Sequence, residues 1–77
     1  MAQRRMFSKA VVESDDYLDL PLTAQALYFH LAMRADDDGF VGNPRSTMRM
    51  IGAGKEDFSM LEEAGFLRTF DSGVVLI

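Results

Sequence analysis

The apolar positions of this chain fall into short blocks whose spacing changes from helical to alternating. Met48 to Ile51 form an apolar helix end that runs into Gly52, and Gly52-Ala53-Gly54 makes a three-residue turn. A second amphipathic segment follows, carrying Phe58 and Leu61, and stops at Ala64-Gly65. Two helices joined by a tight glycine-containing turn have the layout of a helix-turn-helix. Phe66 and Leu67 then open a short apolar run, Asp71-Ser72-Gly73 supplies a turn, and Val74 to Ile77 make a second run. A β-hairpin on the end of a helix-turn-helix predicts a winged helix, so the expected fold class is α+β with an N-terminal helical extension.

Upstream, Ser8 is the expected cap of a short helix over Lys9 to Glu13, and Ser14 followed by Asp15 and Asp16 is a second start signal. Pro21 breaks that pattern. Thr23 is then the expected cap of the first long helix, Ala24 to about Ala35, which ends in the turn Asp36-Asp37-Asp38-Gly39. Phe40-Val41 reads as a short strand. Asn43-Pro44 opens the second long helix, since a capping side chain followed by proline at the first helical position is a start signal. That helix runs to Ile51, and a third covers about Lys55 to Ala64. The expected core is Leu27, Leu31, Met48, Ile51, Phe58, Leu61, Phe66, Leu67 and Val75. Residues 1–77 form one expected domain, in which 1–20 are an arm and an extension. Ile77 falls inside an apolar strand, where natural chains seldom stop, so the expectation is the N-terminal part of a longer protein.

Helical geometry assigns faces, since each residue advances by about 100°. In the third helix Phe58, Leu61, Ala64 and Gly65 share the core side. The opposite side carries Glu56, Ser59, Met60 and Glu63, with Lys55 and Glu62 flanking. In the second helix Thr47, Met48 and Ile51 face inward, and Arg45 and Arg49 make an outward stripe at i, i+4 spacing. The first helix is apolar all round, interrupted only by Gln25, His30 and Arg34. A helix of that kind is buried all round, which a small winged-helix core does not achieve. Self-association through Tyr17, Leu18, Tyr28, Phe29 and Met33, as a homodimer or higher oligomer and most simply a symmetric dimer, is the expected remedy. The competing remedy is an extension that folds back over the same helix within one chain.

Charge changes this picture. The net charge of −4 argues against a general phosphate-binding surface. Distribution qualifies the total: Arg4, Arg5 and Lys9 sit together near the N-terminus, and Arg45, Arg49 and Lys55 bracket the helix-turn-helix. With Ser59 on the outer face of the third helix, these are the candidate DNA contacts. For Arg45 and Arg49, phosphate contacts and solubilising charges weigh equally. For the third helix, a solvated acidic face outweighs base readout, because two glutamates at its centre repel phosphates.

Composition narrows the rest. Seventy-seven residues bury only about 60% of the unfolded chain's surface, so stability is marginal. There is no cysteine, which fits a reducing cytoplasm, and no run approaches the roughly 20 apolar residues of a membrane span. His30, the only histidine, lies on a mostly apolar helix and reads as a packing residue. Gly54-Lys55 is no phosphate loop, because Arg49 and Glu56 stand where glycine and Ser/Thr are needed. Asp36-Asp37-Asp38-Gly39 fails as a calcium loop, with Arg34 and Arg45 at its first and last ligand positions. No catalytic residue, cofactor or metal is expected, and the chain is read as no enzyme.

The segments RRMFSKAVVESDDYLDLPLTAQALYFHLAMRADDDGFVGNP, MRMIGAGKEDF and FDSGVVLI resemble the N-terminal domain of phage replisome organisers, the DnaD-like replication proteins of phages and prophages of Gram-positive bacteria. LTAQALYFHLAMRADDDGFV is the most specific part, and the resemblance covers almost the whole chain. It implies a winged helix that helps to assemble the primosome at a replication origin, with DNA and host replication proteins as partners, and a further C-terminal region. It brings no catalytic residue. A pure protein-interaction or oligomerisation module, or a winged-helix transcription regulator, are the alternatives, since fold does not fix function.

Overall fold

Proline and glycine punctuate the chain where the fold changes direction. A computed structural model describes residues 7–77. Among them the order is α1 (Lys9–Val12), α2 (Asp15–Leu18), α3 (Leu22–Arg34), β1 (Phe40–Val41), α4 (Pro44–Ile51), α5 (Lys55–Glu63), β2 (Arg68–Thr69) and β3 (Val75–Leu76). The protein is therefore α+β, with five helices and one three-stranded antiparallel sheet among the described residues. No helix there is long and apolar enough to cross a membrane.

Each main helix starts and stops for a local reason. Pro44 occupies the first position of α4, where its missing N–H costs nothing, and Asn43 Oδ1 accepts from Ser46 N at 3.2 Å. Gly52 ends α4 in the left-handed region, φ 76°, which lets Ala53 N reach back to Met48 O at 2.9 Å. Gly65 does the same for α5 at φ 84°, and Phe66 N closes on Leu61 O at 2.9 Å. Phe66 thus still belongs to the end of that helix. The hairpin strand begins after the apolar pair Phe66-Leu67, at Arg68, and the turn falls at Asp71 to Gly73.

The sheet order is β1-β3-β2, so the last strand is central. Phe40 and Arg68 both face Leu76, while Val41 and Thr69 both face Val75. Val41 and Val75 turn toward the helices and are buried; Phe40 and Arg68 are exposed. α3 runs through the middle, packed on α4, α5 and β1. Leu27, Leu31, Leu61 and Val75 are fully enclosed, and Leu67 is buried beside them. Met48, Ile51, Phe58 and Phe66 are half-buried against this cluster, so all nine expected core residues meet in one place.

Four local expectations are corrected. α3 begins one residue before Thr23, on a proline cap whose carbonyl accepts from Gln25 N at 3.0 Å. Thr23 does not cap, because its hydroxyl has a stronger acceptor elsewhere, the Asp57 carboxylate. Ser8 precedes α1 but caps it with no side-chain bond; its carbonyl serves Val11 and Val12 instead. Ala64 and Gly65 are exposed, since α5 stops at Glu63 before its core face returns to them.

The apolar α3 is covered largely from within the chain. Tyr17 of α2 is 1% exposed and donates its hydroxyl to Gln25 O at 2.7 Å. Gln25 answers by donating Nε2 to Leu20 O at 2.8 Å, which fixes the α2–α3 corner. The Tyr17 ring stands edge-on to Tyr28, Phe29 and Phe66 at 5.4, 6.0 and 5.7 Å, and Phe7 meets Phe29 at 5.0 Å. Edge-to-face aromatic pairs at such distances add to simple burial. Tyr17 and Tyr28 are therefore withdrawn from the self-association surface expected of them. Phe29 is half-buried; only Leu18 and Met33 of that set remain well exposed.

Candidate nucleic-acid interface

α4 buries one side and leaves a wide one free. Pro44 and Thr47 are buried and Met48 and Ile51 half-buried, all within one arc of the helix. The remaining residues, Arg45, Arg49, Ser46, Met50 and the capping Asn43, are all exposed. With about 100° per residue they follow one another around the axis in that order, over an arc of about 160°. These same five residues line one open depression, and none of them is acidic. The two arginines stand one helical turn apart, so both guanidinium groups serve the same surface. An Arg fork matches the oxygens of a phosphodiester, so the pair has the chemistry that a polyanion would require.

α5 presents the opposite chemistry. Glu56, Ser59, Glu62 and Glu63 are exposed, and Met60 is half-buried. Ser59 and Lys55, expected as DNA contacts, are exposed but lie outside the depression lined by α4. Lys9 is exposed on α1, which packs on α2, and it does not line that depression. Arg4 and Arg5 lie outside the described residues. Of the seven basic and polar candidates, the structure brings Arg45 and Arg49 together and adds Asn43, Ser46 and Met50 to them.

α5 is held in place by a residue outside the expected core, Asp57. Asp57 is buried, and its two oxygens have separate duties. Oδ2 accepts from Gly54 N at 3.1 Å, satisfying a free amide at the start of α5. Oδ1 accepts from Thr23 Oγ1 at 2.7 Å, which ties the start of α5 to the start of α3. The spacing Gly54-x-x-Asp57 is half of a capping box and was a usable signal. The Thr23 end of the bond spans 34 residues and had no local signature.

Two tyrosines of the core have hydroxyls that resist ionisation. Burial, with the Tyr28 hydroxyl beside it, pushes the Tyr17 hydroxyl up to about 12, and burial alone raises Tyr28. Both rings stay neutral at ordinary pH and serve as packing. His30 faces Arg34, whose Nη1 lies 3.3 Å from His30 Nδ1 and donates to His30 O at 3.1 Å. In the acidic turn, Asp36 Oδ1 accepts from Asp38 N and Phe40 N, both at 2.9 Å, so this carboxylate shapes the approach to β1. Compared with protein families, with curated proteins and with solved structures, the chain matches none.

Proposed function

We propose that this chain is a winged-helix domain that docks on DNA through the outward face of α4, with little dependence on base sequence. One observation carries the reading: Arg45 and Arg49 share an exposed surface with Asn43 and Ser46, and no carboxylate lines it. Phosphate contacts of this type position a protein without specifying a sequence. The acidic outer face of α5 supports the second half of the statement, since Glu56 and Glu63 keep that helix from entering a groove. The order of α3, β1, α4, α5 and the β2–β3 hairpin supports the winged-helix assignment. A role in initiating replication in the cytoplasm, within a replisome organiser, rests on the resemblance of the segments around LTAQALYFHLAMRADDDGFV.

The test is a salt-dependent titration of a labelled duplex, read by fluorescence anisotropy. Weak binding with a shallow salt slope is expected. Arg45→Ala with Arg49→Ala weakens it uniformly across sequences and lowers the slope by roughly 1 to 2 units. Stability of this variant stays within about 0.5 kcal/mol of the wild type, because both side chains are exposed. Binding that survives the double substitution, or that is lost on replacing Ser59 or Met60, overturns the reading.

A second reading, self-association, is favoured by Leu18 and Met33, which remain 55% and 47% exposed after the extension has docked. Sedimentation equilibrium at tens of micromolar separates the two, and a monomeric mass removes the second.

A further inference from the structure

Met50 does not fit the chemistry around it. It is 62% exposed on the free side of α4, while Met48 and Ile51 of the same helix are half-buried against the core. It is therefore no displaced core residue. It sits between Ser46 and Asn43 on the arc and follows Arg49 in sequence, so its neighbours in the depression are polar or cationic. About 100° to 140° of helix rotation separates it from the two arginines. Met50 is thus the one large apolar side chain lining the depression in which Arg45 and Arg49 stand.

We infer that Met50 is an apolar wedge against bases, and that the α4 face selects DNA whose base stack is already open. Resting on the DNA-binding reading above, this names the kind of DNA bound. Methionine is unbranched and adaptable, and is one of the side chains proteins insert between base steps. Inserting a side chain into an intact duplex first requires a step to be unstacked. That cost exceeds what one methionine regains, and two arginines supply too little affinity to cover the difference. In a mismatched or melted region the stack is open beforehand. The thioether then loses its water against a base face, and the gain appears as binding. Specificity of this kind concerns the state of the strands and leaves their sequence unread.

The experiment titrates the 77-residue chain against two labelled probes, a fully paired duplex and the same duplex with a central run of mismatches. At low salt the wild type is expected to bind the mismatched probe about tenfold more tightly, the factor that burial of part of one apolar side chain supplies. Met50→Ala is expected to remove most of this preference, with at most about a twofold loss on the duplex and no change in salt slope. Met50→Leu is expected to restore it. Circular dichroism of each variant checks that α4 is intact. Equal binding of the two probes by the wild type, or a preference that persists in Met50→Ala, overturns the wedge and leaves the phosphate-docking reading standing. Absence of binding to either probe overturns both.

Discussion

α4 and α5 are consecutive helices of nearly equal length, joined by a turn at Gly52 to Gly54, and they are built to different ends. α5 is anchored from below and from its start. Leu61 is 0% exposed, and the Asp57 carboxylate ties Gly54 N and Thr23 Oγ1 together. α4 is held by Pro44, Thr47 and two half-buried apolar side chains, and its ends are closed by local caps, Asn43 at the start and Gly52 at the end. The outward surfaces differ in sign as well. α4 offers two arginines with no carboxylate lining their depression; α5 offers Glu56, Glu62 and Glu63. The helix that the order of elements places as the reader carries the architecture, and its predecessor carries the free positive surface. Position within a motif thus does not fix the charge that a helix exposes.

The largest test of this contrast removes the anchor. Leu61→Ala empties a fully enclosed site and is expected to cost about 2–5 kcal/mol, read as a shift in the urea midpoint. In a marginally stable domain that loss approaches complete unfolding. A cost below about 1 kcal/mol means that α5 is not the structural helix, and the contrast fails at its base.

A smaller effect is expected at Asp57. Asp57→Ala removes the acceptor for Gly54 N and leaves the Thr23 hydroxyl without its partner, at a cost of about 1–3 kcal/mol. Asp57→Asn sharpens the result, because it keeps one carbonyl acceptor and loses the charge that favours a helix N-terminus. An asparagine variant close to the wild type assigns the effect to hydrogen bonding; one close to alanine assigns it to charge. No loss in either variant shows that α5 is not tied at its start.

These two residues also show what the sequence disclosed. Leu61 was evident from helical spacing with Phe58, and the limits of α4 from Asn43-Pro44 and Gly52, because caps and turns are local chemistry. β1 at Phe40-Val41 and the turn at Asp71 to Gly73 were evident for the same reason. The Thr23–Asp57 bond was not, since it joins two helix starts 34 residues apart and each residue has a plausible local use. Nor did pattern show what covers α3. A helix apolar on every side gives no phase, so the pattern points to a second molecule packed through Tyr17 and its neighbours, whereas Tyr17 is buried against α3 within the same chain. Of the candidate interface, the Arg45–Arg49 stripe followed from i, i+4 spacing. The same spacing puts Met50 outside the inward arc of Thr47, Met48 and Ile51, but its exposure beside the arginines is a fact of packing that spacing alone does not supply.

The smallest effect on stability, and the sharpest on the comparison, comes from removing charge on α5. Glu56→Gln gives up a favourable interaction with the start of the helix, and Glu63→Gln relieves an unfavourable one at its end, each by a few tenths of a kcal/mol. Since the two offset, the double variant is expected to unfold within about 0.5 kcal/mol of the wild type. DNA binding is expected to respond much more. Charges closer to the duplex than the Debye length, about 10 Å at 0.1 M salt, act on it directly. If the glutamates hold α5 away from the groove, losing both raises affinity severalfold at low salt and leaves little gain at high salt. On the proposed docking through α4, the gain also depends on Arg45 and Arg49, which hold the duplex while α5 approaches it. An affinity that is unchanged at every salt concentration means that α5 lies far from the bound duplex. Its charge would then have no bearing on the proposed docking, and the contrast between the two helices would reduce to one of packing.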